Sequence, residues 1–265
     1  MLRTYWHCFK YLAQTAWRSF GRFPRECALC GYYGKFLGHG YPFVCDVLCP
    51  KCGSLESHRL LALANRDYDF FSDRKILHLA PDSQIRGLIL AHQPRSYVTA
   101  DRSAPGVDVK ENIEALTIDD HSFDVVICLH VLEYVNDRRA ASELFRILKP
   151  GGILLAMFPI VEGWDDTFEG PAGSTPEERL LYFDQRSRAR FFGRDARGRL
   201  AAPGFIVEEY TAIEPNVSRY GLTRGEKVFI CSRPTMRRDI AMEHAVRAGI
   251  ANGIDMPSRL HLPSS

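Results

Sequence analysis

No stretch of this 265-residue chain approaches the roughly 20 apolar residues that a membrane-spanning helix needs, so no transmembrane segment is expected. No secretory signal is expected either. The opening segment MLRTYWHCFKYLAQTAWRSFG has its apolar run broken by Lys10 and Arg18, and no clear small-residue cleavage site follows. A surplus of one charge is also lacking. The 34 Lys and Arg against 32 Asp and Glu leave +2, which excludes a polycation that coats nucleic acid along its whole length. With 46% hydrophobic and 25% charged residues, a mainly disordered or collagen-like chain is excluded too. Cysteine is scarce beyond position 52, where only Cys128 and Cys231 follow, while Cys8, Cys27, Cys30, Cys45, Cys49 and Cys52 crowd the front. Disulfide frameworks dominate in short secreted chains. This chain is expected in the cytoplasm, where thiols stay reduced and paired cysteines more often bind metal. Its length fits one full domain plus an accessory.

Cys27-Ala-Leu-Cys30 and Cys49-Pro-Lys-Cys52 are two CxxC turns separated by eighteen residues. Each turn aims two thiolates at one centre, and together they supply the four soft ligands of a tetrahedral Zn²⁺. Gly31 and Gly53 follow the second cysteine of each pair, where the knuckle turns tightly. A redox CxxC usually opens a helix in a βαβ setting, which is not seen here. Cys45 and His39 are spare ligands by type. A closed four-thiolate site has no open position, so the metal reads as structural.

Residues 1–66 hold nine Lys or Arg and three Asp or Glu, giving +6 and leaving −4 for the rest. This basic front, with Tyr32, Tyr33, Phe36, Tyr41 and Phe43, reads in two ways. The rings could stack nucleic-acid bases, or they could form the small core of a metal ribbon. Ahead of the ribbon, Leu2, Tyr5, Trp6, Phe9, Ala13, Ala16, Trp17 and Phe20 fall on one helical face. That face either packs on the protein or, with Arg3, Lys10 and Arg18 opposite, lies on a membrane surface or a partner.

From residue 74 strand and helix signals alternate. Strands are expected at 75–80, 96–101, 107–112, 123–129, 153–158, 205–213 and 227–231, with helices at 84–92 and 137–148. This alternation predicts an α/β fold, a doubly wound and mostly parallel sheet with helices on both faces and one antiparallel edge strand. Ligands bind beyond the carboxyl ends of such strands. Asp101 ends the second strand about twenty residues past the first, the position whose carboxylate grips a ribose diol.

The string Asp119-Asp-His-Ser-Phe-Asp-Val-Val-Ile-Cys-Leu-His-Val-Leu-Glu-Tyr-Val135, with Glu143-Leu-Phe-Arg-Ile-Leu-Lys-Pro-Gly-Gly152, closely resembles class I S-adenosylmethionine-dependent methyltransferases. The resemblance covers roughly residues 74–232. With Cys49-Pro-Lys-Cys-Gly-Ser-Leu-Glu-Ser-His-Arg59 and Ile76-Leu-His-Leu-Ala-Pro81, the chain looks like bacterial methyltransferase-domain proteins that carry an N-terminal zinc ribbon. It implies a seven-stranded Rossmann-like sheet with an antiparallel final strand. The organisation then reads as a helix at 1–20, a zinc-ribbon module at 21–66, the methyltransferase domain at 67–233 and an extension at 234–265. That extension holds a possible helix at 237–251 and a loose end at 257–265.

By the same resemblance His78, Leu79 and Ala80 line the methionine end of S-adenosylmethionine, and Asp101 holds the ribose with Arg102 flanking the adenine. Asn112 and Ile113 sit at the adenine edge, and Leu129 and His130 face the sulfonium. The chain departs from the family's pattern in three places. Leu79-Ala-Pro-Asp82 stands where Gly-x-Gly is usual, Asn112 stands where an acid is common, and Gln185-Arg-Ser-Arg-Ala-Arg190 lacks an Asp-His pair. His130 and Glu133 are the candidate catalytic residues, as a general base. Arg188 and Arg190 are candidate clamps for an anionic substrate. Residues 164–176 form either a lid or a linker. Three functions fit: methyl transfer to a small molecule, methyl transfer to RNA held by the ribbon, or binding without methyl transfer.

Overall fold

The computed structural model describes residues 20–40, 43–171 and 173–235. Residues 1–19 of the helix expected over 1–20, with Cys8, together with Tyr41 and the helix and tail expected over 237–251 and 257–265, lie outside the described residues, and Phe20, expected to end that helix, opens a strand.

Three short strands, β1 (Phe20–Glu26), β2 (Tyr33–His39) and β3 (Val44–Leu48), form an antiparallel sheet in chain order. Its core is small: Phe36, Cys27 and Cys49 are buried, with Leu29, Cys30, Tyr32 and Cys52 packed against them. So few apolar side chains make a cross-link valuable to a module of this size. Phe36 and Tyr32 fill that core, as the metal-ribbon reading expects, whereas Phe23, Tyr33 and Phe43 are exposed.

The second sheet has seven strands in the order β6-β5-β4-β7-β8-β10-β9. These are β4 (Lys75–Leu79), β5 (Ser96–Asp101), β6 (Val109–Lys110), β7 (Phe123–Leu129), β8 (Leu148–Met157), β9 (Ile206–Thr211) and β10 (Lys227–Ser232). The first five run parallel, and β10 is antiparallel to both β8 and β9. The expected α/β fold with one reversed strand is therefore present, but the reversed strand lies one in from the edge, between β8 and β9, and not at the edge as expected. β7 is nearly all apolar because both of its faces are covered: Val126 and Cys128 join one core, Val125 and Ile127 the other. β8 begins earlier than expected. Pairing jumps from Phe123–Leu148 to Val125–Ile153, so Lys149-Pro-Gly-Gly152 is absorbed as a bulge inside the strand.

The helices alternate with the strands. α1 (Glu56–Tyr68) precedes β4, α2 (Ser83–Ala91) follows it, and α3 (Asp137–Ile147) lies between β7 and β8. Asp82 caps α2 by accepting from the Ile85 N–H at 2.7 Å, and Asn136 caps α3 by accepting from Arg139 N at 3.1 Å. α4 (Pro176–Phe183), α5 (Ala196–Ala201) and α6 (Asn216–Tyr220) are shorter. α1 marks a difference from the expected boundary. Residues 56–66, placed in the ribbon module by sequence, are helical, and Leu60, Leu61, Leu63 and Ala64 pack into the sheet's core with Ile76, Val125 and Ile127. Each buried leucine contributes roughly 1.5–3 kcal/mol.

Arg59 ties the two sheets together. Its side chain is fully buried, and it donates to the carbonyls of Ser54, Tyr220 and Gly221, each at 2.7 Å. Its guanidinium carbon lies 4.6 Å from the centre of the Phe36 ring. One side chain thus joins the second cysteine turn, the end of α6 and the ribbon core. Arg219 adds an ion pair to Glu26 at 2.7 Å.

The segment 164–176, read as a lid or a linker, is tied down at its first half. Phe168 bridges Phe191, Thr167 donates to Asp195 at 2.6 Å, and Arg194 N donates to the Trp164 carbonyl.

Candidate functional site

The parallel strands place their carboxyl ends along one edge. Ala80, just past β4, has φ +47°, a left-handed turn that glycine adopts more easily, and its N–H donates to the Ala100 carbonyl at 2.9 Å. The missing Gly-x-Gly therefore does not abolish the turn, since Ala80 itself adopts it. Leu79 is buried beneath the turn. His78 is wholly buried, its Nδ1 paired with the Tyr97 hydroxyl at 2.9 Å and its Nε2 without a partner. Burial pushes the His78 imidazole down to about 4, so it is neutral.

Asp101 ends β5. Its Oδ1 accepts from the Ser103 and Ala104 N–H groups, both at 2.7 Å. The Ala104 bond above all holds the carboxyl below its usual range, against a smaller effect of burial. Both bonds use one oxygen, so Oδ2 remains for a diol. Arg102 beside it is exposed. Asn112 is exposed and accepts from the Glu114 N–H, and Ile113 is buried. The acid next to Asn112, Glu111, points inward and accepts from both Thr117 N and its hydroxyl.

β7 ends at Leu129. His130 follows with φ +52°, its N–H donating to the Met157 carbonyl at 2.8 Å. Its Nδ1 lies 3.7 Å from Oε1 of Glu133. Glu133 is 2% exposed, and its Oε2 has no partner. Burial by itself would lower the His130 pKa, but the nearby Glu133, with the charges of Glu226 and Glu56 added, outweighs it, so the net direction is upward. A histidine oriented by a buried carboxylate can hold or accept a proton at its other nitrogen.

The structure separates the two arginines. Arg188 lies over the Tyr134 and Phe191 rings at 5.8 and 5.2 Å, with its buried Nε unpartnered. Arg190 is a correction to the clamp expectation. It is buried and donates to the carbonyls of Leu132 and Val135, with Asp137 and Glu169 within 3.5 Å. Its hydrogen bonds to these carbonyls, with the two acids alongside, tie it to the turn after β7, while its buried Nε makes no hydrogen bond.

Next to His130 opens a cavity of about 490 Å³. It is walled by Leu55, Glu56 and His58 at the start of α1, by 158–160 and Glu162 after β8, and by 223–227 and Phe229 at the start of β10. Because β10 runs antiparallel, its first residues arrive at the same edge where the parallel strands end. Glu56, His58 and Glu226 escaped the sequence reading. Glu56 and His58 lie in the polar run Glu56-Ser-His-Arg59 and Glu226 in Arg224-Gly-Glu-Lys227, so nothing in their spacing sets them apart.

The four thiols of Cys27, Cys30, Cys49 and Cys52 come together, all sulfurs within 4.8 Å of one another. Cys27–Cys52 and Cys30–Cys49 are 3.6 and 3.7 Å apart. Four sulfurs at about 2.3 Å from one Zn²⁺ in a tetrahedron stand about 3.8 Å from each other, so this donor set fits that ion. The turns are built alike: Gly31 N donates to Cys27 O and Gly53 N to Cys49 O, both at 2.9 Å, with φ +67° and +71° at the glycines. Cys45 and His39 are exposed and stand outside the group, so neither serves as a spare ligand.

Part of the chain resembles known proteins. Residues 74–156 match the family described as a methyltransferase domain. A Mycolicibacterium smegmatis protein named "Probable S-adenosylmethionine-dependent methyltransferase" is 40% identical over 57 residues, covering 21% of this chain and 22% of that one. The chain thus spans about a fifth of the curated relative it matches. Among solved structures, a chain from the complex between the Haloferax volcanii Trm112 methyltransferase activator and a candidate methyltransferase aligns with TM-score 0.51 at 17% identity. That alignment covers 69% of this chain and 91% of the other. An S-adenosylmethionine-dependent methyltransferase from Mesorhizobium loti aligns with TM-score 0.47 at 17% identity, covering 66% and 97%. Residues 74–156 thus match a methyltransferase domain, with a four-cysteine module in front of them. Among the described residues no helix is long and apolar enough to cross a membrane.

Proposed function

We propose that the protein transfers the methyl group of S-adenosylmethionine to a small-molecule acceptor, with a structural Zn²⁺ held by Cys27, Cys30, Cys49 and Cys52. The observation that carries this reading is the convergence at one sheet edge. Ala80, Asp101 and His130 stand at or just past the carboxyl ends of the neighbouring parallel strands β4, β5 and β7, and His130 also borders the 490 Å³ cavity. A cavity of that size suits a small molecule. The residues fit the methyl donor: Ala80 supplies the open turn, Asp101 Oδ2 a free acceptor for the ribose, and Ile113 an apolar edge. Leu79, Arg102, Asn112 and Leu129 complete the walls, and His78 supports the Ala80 turn from beneath.

When bound, the donor supplies a methyl carbon on a sulfonium that an acceptor displaces in line. His130, oriented by Glu133, takes the acceptor's proton at Nε2. The surrounding walls position the acceptor and exclude water. Calorimetry with S-adenosylmethionine and its demethylated product tests this reading; failure of both to bind would end it.

An RNA acceptor is the second reading, favoured by the exposed Phe23, Tyr33 and Phe43 beside the exposed Arg22, Lys35 and Lys51 on the ribbon. RNA affinity that falls steeply with salt would support it over the first. Cofactor binding without labelled product from any acceptor would instead favour a binding protein that keeps the fold.

A further inference from the structure

The cavity beside His130 carries an unbalanced chemistry. Its floor is apolar, formed by Phe158, Ile160 and Phe229. Its charged wall residues are paired unevenly. Lys227 is held by Glu162 at 2.9 Å, and Arg224 is bonded to Glu214 outside the cavity. Glu162 also accepts from Arg197 at 2.7 Å. Arg59 is near, but its donors are committed to three backbone carbonyls.

Glu56 and Glu226 are left over. Each has Oε2 buried with no hydrogen-bond partner, and both line this cavity. They come from opposite ends of the chain, one from the first turn of α1 and the other from the turn into β10. A buried carboxylate oxygen without a donor costs about 1–3 kcal/mol or more, so two in one cavity point to a donor that the protein does not itself provide.

We propose that Glu56 and Glu226 form the recognition end of the acceptor pocket and that the acceptor is a compact molecule bearing a protonated amine. The ammonium sits against the two carboxylates, and the apolar body lies on Phe158, Ile160 and Phe229. This rests on the methyltransferase reading and adds the acceptor's class to it. A neutral alcohol offers one donor and no charge, and a carboxylate is repelled. Glu226 bears on the same point, because burial, with the charge of Glu56 added, pushes it up to about 7, while His130 and Arg59 pull the other way. An ammonium would reverse that shift by stabilising the charged form.

The test uses the full chain with saturating S-adenosylhomocysteine, titrated calorimetrically with 2-phenylethylamine, 2-phenylethanol and phenylacetate. The amine is expected to bind at least about tenfold more tightly than the alcohol, with phenylacetate weakest. Near pH 7 its binding should release protons, seen as a heat that changes with the buffer. Glu226→Gln and Glu56→Gln should each weaken the amine about tenfold, and Glu226→Gln should abolish the proton release. Both variants should bind S-adenosylhomocysteine unchanged, which also reports that they fold. Equal binding of amine and alcohol, no binding of any probe, or an amine preference that survives both variants overturns the proposal. The amine series is repeated without S-adenosylhomocysteine. Failure of the nucleoside alone to bind therefore counts against methyl transfer and leaves the amine result to be judged separately.

Discussion

Nε of Arg59 donates to the carbonyl oxygen of Tyr220, 161 positions away in the chain, at 2.7 Å. The same guanidinium reaches Ser54, two residues past Cys52. The four-cysteine module is therefore fastened to the very helix, α1, that brings Glu56 and His58 to the cavity. In this arrangement the ribbon acts as a frame for one wall of the site.

Arg59→Met should destabilise the protein by about 3–5 kcal/mol, because three buried carbonyls lose their donor at once. Urea unfolding measures the loss. A change under 1 kcal/mol would mean the ribbon is held elsewhere.

Elemental analysis of the purified protein should find one zinc per chain. Cys49→Ser should lose the metal and melt about 10 °C lower, as expected for several kcal/mol in a chain of this size. Less than one metal per chain in carefully prepared protein contradicts the zinc assignment.

The rate of methyl transfer should rise with pH as His130 loses its proton, with an inflection above the ordinary histidine value, because Glu133 raises His130. Glu133→Gln should move that inflection down. His130→Ala should lower kcat by about 10²–10⁴-fold with little change in the affinity for S-adenosylhomocysteine. An unchanged inflection in Glu133→Gln would separate the two residues functionally.

Glu226 gives a stability signature that needs no substrate. Its carboxyl is raised to about 7, with Glu56, His130 and Arg59 as the charged groups acting on it. The folded state thus holds the proton more tightly than the unfolded chain. That contribution is full below the ordinary carboxylate pKa and is lost as pH rises through about 7. Glu226→Gln keeps a neutral group throughout, so relative to the native protein it should melt higher at pH 8 than at pH 5, by about 3 °C. A difference that does not vary with pH would show that Glu226 is ordinary.

Much of this was legible in the chain because the physics is local. Val125 to Leu129 form an unbroken apolar run, which only a strand covered on both faces sustains. Asp101 stands where β5 ends, and Cys27, Cys30, Cys49 and Cys52 declare themselves by spacing. The partners of Arg190, the Leu132 and Val135 carbonyls, lie more than fifty residues back, and only folding supplies them. Residues 56–66 were assigned to the ribbon because the helix follows Cys52 with a gap of only three residues. Glu56 and Glu226 look like solvated surface acids until α1 and the reversed β10 bring them to one cavity.

The proposed site for S-adenosylmethionine is the edge formed by Ala80, Asp101 and His130. Calorimetric titration of S-adenosylhomocysteine into the native protein and into Asp101→Ala tests it most directly. The account predicts one site per native chain and a loss of about 10–100-fold in affinity for the variant, as expected for charge-assisted hydrogen bonds to a ribose diol. Absence of binding to the native chain, or equal affinity in a folded Asp101→Ala, would contradict it.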